Sequence, residues 1–273
     1  MATPRRSAAP HPHVRVRAGD LPATGHLTVV SPHLDDAVLS CFALMRAART
    51  ATVITVFAGL PPVGTQPALY DRLTGSADPH RRMAARRRED RAALRLLNAK
   101  PVHLDLLDGP YRTTAPTTDE LVEAIAAAVP RRTTLLAAPG GFGNHPDHRL
   151  VAEAAPLAAD ALGLDLVAYA DYPYAASYGW PAWVTGDEPD PFLDPECTWD
   201  AARARLRTNH LLVDTVVSLP PAVRREKAEA VGRYVTQLGV VEMGPASLAT
   251  GPARSRFELL FRRATAAVEP TRR

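Results

Sequence analysis

Lysine is nearly missing from this chain. Of its 32 basic side chains only Lys100 and Lys227 are lysines, and neither stands beside a cluster of reactive groups, which argues against Schiff-base chemistry. Cysteine is equally scarce. Cys41 falls in a helical pattern and Cys197 in a Pro/Asp-rich loop, too few and too unpatterned for a disulfide framework or a thiolate metal site, so the compartment reads as reducing. No run approaches the roughly 18 consecutive apolar residues of a membrane span, and the N-terminus lacks the apolar core of a signal peptide. The expectation is a cytoplasmic protein without membrane insertion.

What is present suffices for a sizeable core. The chain has 273 residues, 46% of them hydrophobic, and 32 basic against 29 acidic groups leave a formal net charge of +3. One large domain is the default reading at this length. Residues 1–24, with Pro, Ala, Arg, His11 and His13, show no stable period and read as a disordered or loosely packed tail. Residues 25–273 carry the domain.

From His26 onward apolar runs and helical spacings alternate. Leu27 to Val30 reads as a strand, Asp35 to Ala48 as a helix with Val38, Leu39, Phe42 and Met45 on one side, and Thr52 to Phe57 as a second strand. Two short strands joined by one helix make a right-handed βαβ unit. A Pro/Gly loop leads to a helix from about His80 to Asn98, then come strand Val102–Leu106, helix Asp119–Val129, strand Thr134–Ala138, helix Pro146–Leu162 and strand Asp165–Ala170. A strand near Leu211–Ser218, a helix from Pro220 to about Gln237 and an apolar run at Phe257–Phe261 follow. The pattern is α/β and Rossmann-like, with a mainly parallel sheet and helices on both faces. Arg81, Arg82, Arg86, Arg87 and Arg88 invite a nucleic-acid reading, but Glu89 and Asp90 interrupt the run and Met83, Ala84, Leu94 and Leu97 give the helix an apolar side, so a solvated helix face is preferred.

Two segments carry chemistry. Ser31-Pro32-His33-Leu34-Asp35-Asp36 and Asn144-His145-Pro146-Asp147-His148 each follow a strand and open a helix, so both belong at the carboxyl ends of the sheet, where ligands bind in open α/β folds. His33 and Asp36 differ by three residues, as do His145 and His148, so each pair can face one point. His33, Asp36 and His148 would supply the nitrogen and oxygen donors of an open catalytic zinc site, leaving Asp35 and His145 as neighbours for base and electrophile. Taken singly, each motif also fits helix-capping carboxylates or loop histidines. Gly140-Gly141-Phe142-Gly143 matches neither the dinucleotide fingerprint nor the P-loop, and its glycines are read as permitting a tight turn before His145.

At these residues the chain resembles the PIG-L/LmbE-like superfamily of zinc-dependent de-N-acetylases, which includes the N-acetylglucosaminyl-phosphatidylinositol deacetylases. The family signature is His-Pro-Asp-Asp-Glu followed roughly a hundred residues later by His-x-x-His. Arg86 to Asp90 and Leu104 to Arg112 also have counterparts there. The resemblance spans most of residues 26–240. It implies zinc, replaceable by another divalent metal, on His33, Asp36 and His148, with Asp35 as general base, His145 assisting as acid or oxyanion partner, and Arg86 and Asp108 holding substrate. Leu34 and Ala37 depart from the family pattern, which has Pro and Glu there, and neither position is a metal ligand.

The expected activity is hydrolysis of an N-acyl group, acetyl above all, from an amino sugar or sugar-containing metabolite of secondary metabolism. The partner is a small molecule and not a nucleic acid. Alternatives are an amidase acting on a non-sugar natural-product or thiol-conjugate intermediate, and a noncatalytic ligand-binding relative. Asp171 to Trp183, within a lid or insertion over 171–200, holds Tyr172, Tyr174, Tyr178, Trp180 and Trp183. It is expected at the metal mouth, with Tyr174 and Trp180 as substrate contacts, against the alternative of an insertion stabilised by its own aromatics.

Overall fold

The apolar runs become strands of one sheet. The computed structural model describes residues 13–177, 179–188, 192, 195, 199–241 and 254–263. In chain order its elements are β1 (His13–Arg17), β2 (His26–Ser31), α1 (Asp36–Ala47), β3 (Thr50–Thr55), α2 (Leu69–Leu73), α3 (Pro79–Leu96), β4 (Ala99–His103), α4 (Thr118–Ala128), β5 (Leu135–Pro139), α5 (Pro146–Leu162), β6 (Leu166–Tyr169), α6 (Ala182–Thr185), α7 (Asp200–Thr208), β7 (Leu211–Ser218), α8 (Pro221–Val231), α9 (Val235–Val241) and β8 (Phe257–Arg263). Every residue of β2 and β5 is buried, as befits central strands covered on both faces.

Among the described residues the strand order is β1-β7-β8-β6-β5-β2-β3-β4. All strands run parallel except β8, which lies antiparallel between β7 and β6. From β2 the chain steps outward to β3 and β4, then returns to the other side of β2 at β5 and continues to β6. The order therefore reverses between β2 and β5, paired through Leu27 with Leu135 and Val29 with Ala137, and the loops leaving them diverge to open a crevice. Both chemical motifs occupy those two loops.

Local signals start and stop the helices around the crevice. Asp78 accepts a hydrogen bond from Arg81 N with Pro79 in the first turn of α3, and Thr117 and Glu120 form a reciprocal capping box on α4. Pro146 opens α5, and Gly163, with φ +64°, closes it in the left-handed conformation. The core fills the space between sheet and helices with Leu27, Val29, Leu136 and Val151, and with the rings of Phe42, Phe57, Phe142 and Phe261.

Several expected boundaries shift. Residues 13–24, read as part of a loose tail, instead contain β1, which pairs in parallel with β7 from His13 to Arg17, while residues 1–12 lie outside the described residues. β1 is an edge strand whose Val14 is exposed, so its apolar content is too low to mark it in the sequence. The strands expected at 52–57 and 102–106 begin two and three residues earlier, at Thr50 and Ala99. The single helix expected from Pro220 to Gln237 is two, α8 and α9, separated at 232–234. The arginines of α3 divide: Arg81 and Arg88 are exposed, whereas Arg87 donates to Ala58 O at 2.5 Å and Arg86 turns into the crevice. Tyr178 and Cys197 lie outside the described residues.

Leu136 is fully buried on β5 beside the crevice. Leu136→Ala is expected to lower unfolding free energy by about 2–5 kcal/mol through lost transfer energy and a residual cavity. Urea denaturation followed by circular dichroism checks it.

Candidate metal centre and active site

The loop after β2 folds back on the first turn of α1. His33 N donates to Asp36 Oδ2 at 2.8 Å, and Ser31 Oγ accepts from Ala37 N at 3.0 Å while donating to His33 O at 2.6 Å. These bonds leave Asp35 and Asp36 at the start of α1, at the edge of the crevice. In the loop after β5, Gly141 and Gly143 take φ of +73° and +76°, as a tight turn before His145 requires. A Cβ at Gly143 would stand 2.8 Å from Tyr174 Cβ, so the same glycine lets Tyr174 close over the histidines.

The two loops meet at one carboxylate oxygen. Asp36 Oδ2 lies 3.3 Å from His33 Nδ1 and 3.3 Å from His148 Nε2. Two donors about 2.0–2.1 Å from a shared tetrahedral ion stand about 3.3–3.4 Å apart, a spacing that both separations match. His148 Nε2 is buried with no hydrogen-bond partner.

The far nitrogen of each imidazole is tied to a carboxylate. His148 Nδ1 is 2.6 Å from Asp171 Oδ1, whose second oxygen accepts from Phe142 N at 3.0 Å. His33 Nε2 is 3.1 Å from Asp147 Oδ2, and Asp147 also pairs with Arg112 and accepts from Gly109 N. Such partners fix a ligand's tautomer and ring orientation and leave the opposite nitrogen free for a metal. His33 Nε2 also stands 3.5 Å from Asp108 Oδ1. His33, Asp108 and Asp147 also lie close enough together to hold a cation, but Asp147 is already paired with the guanidinium of Arg112.

Electrostatics follow from this alternation. Burial works against ionising Asp36, but His148 and His33 outweigh it and hold its carboxyl well below the usual range. Burial also opposes a charged His33, yet Asp108, Asp147 and Asp36 raise it well above the usual imidazole value. Burial likewise works against His148, and Asp36 and Asp171 carry it up to about 9. His145 has no such carboxylate partner: burial, then the neighbouring His33 and His148, bring it down to about 4. Asp35 goes the other way, since burial and the Asp36 carboxylate push it up to about 7 against the pull of His33 and Arg86.

A cavity of about 270 Å³ opens above these groups. Asp35, His145, Arg86, Asp108 and Tyr174 all line it, as do Tyr70 and Tyr111. Arg86 reaches toward Asp108, with 4.0 Å between Nη1 and Oδ2. One nitrogen each of His33, His145 and His148 lies within 4.8 Å of the others, and His33 and His145 line the cavity. Trp180 does not line the cavity. It is 8% exposed and packs in the core against Tyr172, Trp199 and Phe257, so the expected substrate contact is corrected. Tyr174 opens the short 3-10 turn Tyr174–Ala176 and lines the cavity, whereas Trp180, a few residues later, is buried. Asp147, Asp171 and Arg112 were not assigned roles from sequence. Each nevertheless lay in a segment the sequence singled out: Asp147 between the two histidines of its motif, Arg112 at the end of the segment 104–112, and Asp171 at the start of the aromatic stretch.

A family model described as GlcNAc-PI de-N-acetylase (PIG-L) matches residues 28–159. Similar solved structures include the zinc-inhibited form of teicoplanin deacetylase Orf2, at 25% identity over 86% of this chain and 97% of that one, with a TM-score of 0.64. The A40926 pseudoaglycone deacetylase Dbv21 is 27% identical over 88% and 98% of the two chains, with a TM-score of 0.63. The conserved protein TT1542 from Thermus thermophilus shares the fold at 18% identity, covering 90% and 98%, with a TM-score of 0.51. No curated protein matches the sequence. Among the described residues no helix is long and apolar enough to cross a membrane.

Asp171→Asn keeps the shape of the side chain but removes the charge behind His148. It is expected to weaken zinc binding about 10- to 100-fold with little change in fold. Competition with a chromogenic chelator measures it.

Proposed function

As a chain that belongs to the PIG-L/LmbE-like superfamily, this protein is, we propose, a zinc-dependent hydrolase that removes an N-acetyl group from an amino sugar carried by a larger metabolite. The observation that carries the reading is Asp36 Oδ2 poised 3.3 Å from both His33 Nδ1 and His148 Nε2, with Asp35 beside it on the cavity wall. The similar solved structures named as deacetylases of teicoplanin and of a pseudoaglycone support the sugar-bearing substrate class.

His33, Asp36 and His148 would hold the ion, which when bound polarises the amide carbonyl and an attacking water. Asp35, with its carboxyl near neutrality, takes the proton of that water. His145, kept neutral by burial and by the imidazoles beside it, donates a hydrogen bond to the oxygen that gains charge as the carbonyl is attacked. Asp35 then returns its proton to the departing amine, so the acid and base of the two half-steps are one carboxyl group. Arg86 and Asp108, facing the same cavity, offer donors and acceptors to ring hydroxyls, and the Tyr174 ring offers a flat wall for a sugar face.

Incubation of zinc-loaded protein with N-acetylated sugars, an N-acetylated glycopeptide pseudoaglycone and simple N-acetyl amines, with acetate release measured, tests the reading. Acetate from the sugar-bearing compounds is the expected result. Release only from the simple amines would sink the sugar assignment, and release from none would sink the hydrolase.

Asp35→Asn is expected to lower turnover by about 10²–10⁴ with zinc content unchanged, because an amide cannot accept the proton. His145→Ala is expected to cost about 10²–10³ in kcat while retaining the metal. Metal analysis and steady-state kinetics on the same preparations separate the two roles.

Tyr174→Ala should raise KM with little loss of stability, whereas Trp180→Ala should cost about 3–5 kcal/mol of stability and leave the KM of the folded enzyme unchanged. Thermal melts beside kinetics distinguish them.

A further inference from the structure

Helix α1 is broken one turn after the residues that bear the chemistry. Cys41 sits at φ −133° and ψ 21°, outside helical geometry, and divides the turn carrying Asp36 from the remainder. In an unbroken helix Leu39 O and Ala43 N would be bonded to one another. Here a buried ion pair from two distant elements serves both groups. Lys227 of α8 donates from Nζ to Leu39 O at 2.6 Å, and Ala43 N donates to Glu258 Oε2 of β8 at 2.9 Å. Lys227 Nζ and Glu258 Oε1 close the circuit at 2.7 Å, with the two residues 4% and 3% exposed.

We propose that the Lys227–Glu258 pair is a positioning device: inserted into the hydrogen-bond ladder of α1, it holds the bend that aims the first turn, and with it Asp35 and Asp36, at the histidines. The inference rests on the metal site proposed above. Side chains inserted into a helical ladder are an established cause of sharp bends. The same bend ties α1 to the second ligand arm. Ser40 Oγ accepts from Tyr172 N at 3.0 Å, and Tyr172 follows Asp171, the carboxylate that orients His148. Lys227 Nζ also stands 5.4 Å from the centre of the Tyr172 ring. One cation therefore touches the first-motif helix and the segment that steers the second motif. In a chain whose basic residues are almost all arginine, the lysine suits the place, since a compact ammonium can serve a carbonyl and a carboxylate where a planar fork would need more room.

Lys227→Met combined with Glu258→Leu removes the charges together, a replacement that buried pairs commonly tolerate or gain stability from. With the inserted groups gone, Leu39 O and Ala43 N can bond and the helix can straighten. The double variant is expected to fold, to bind zinc about tenfold or more weakly by chelator competition, and to lose kcat with KM within about twofold. Its crystal structure should show Asp36 moved away from one or both imidazoles. Should the double variant not fold, Glu258→Gln, which keeps an acceptor for Ala43 N and removes the charge, carries the same readouts. A folded variant that binds zinc as the parent does, or one whose crystal structure keeps Asp36 in contact with both imidazoles, overturns the proposal. If the parent protein itself takes up no zinc, the proposed function fails separately, and the crystal structure alone decides the bend.

Discussion

A carboxylate kept ionised inside the protein is the constraint around which the rest is arranged. Asp36 is 5% exposed, and leaving its charge unbalanced there would be very costly. Two imidazoles and the His33 backbone N–H offset it, and its place in the first turn of α1 adds the favourable end of the helix dipole. Each imidazole is then steadied by a further carboxylate, and one of those is steadied by Arg112, itself 4.5 Å from the centre of the Phe57 ring. The result is a chain of alternating charges running from the largely buried Arg112 to the buried Asp36. Such a chain resists rearrangement, because moving any member leaves a neighbour buried and uncompensated.

Topology supplies the place where that chain can form. The reversal of strand order between β2 and β5 brings two loops together that lie more than a hundred residues apart, and the parallel direction of both strands puts both helix N-termini at the same end. Asp35 and His145 then differ in what lies behind them. Asp35 faces another carboxylate and is pushed toward neutrality, while His145 faces other imidazoles and stays uncharged. Two groups that both sit at helix starts are thus pushed in opposite directions by their neighbours, which suits the proposed roles of proton acceptor and hydrogen-bond donor.

The strands and the two motifs were legible because their signals are local: a buried run such as Leu27 to Val30, and histidine and carboxylate at a spacing of three. The supporting groups were not. Asp171 is separated from His148 by a helix and a strand, and nothing about an aspartate after an apolar run distinguishes an orienting group from a turn residue. Lys227 and Glu258 fall in a helical segment and in an apolar run far along the chain from α1, and only the fold brings them to it. Trp180 misled for a related reason, since composition shows that a segment is aromatic but not which way each ring points. The break between α8 and α9 was hidden because apolar spacing continues across Gly232, although Gly232 to Tyr234 interrupts the helical path.

The antiparallel strand β8 has a consequence for how much of the chain the chemistry needs. The segment 28–159 that matches the family model contains every group proposed to touch ion or substrate except Tyr174. It contains none of Asp171, Lys227 and Glu258, which orient His148 and bend α1. β8 also fills the gap between β6 and β7, so the sheet stays divided until that strand is in place. During synthesis the two motifs therefore emerge, and their strands can pair, well before the residues that true their geometry. A chain made only that far would hold the proposed ligands without their alignment, and competence would arrive as β8 joins the sheet.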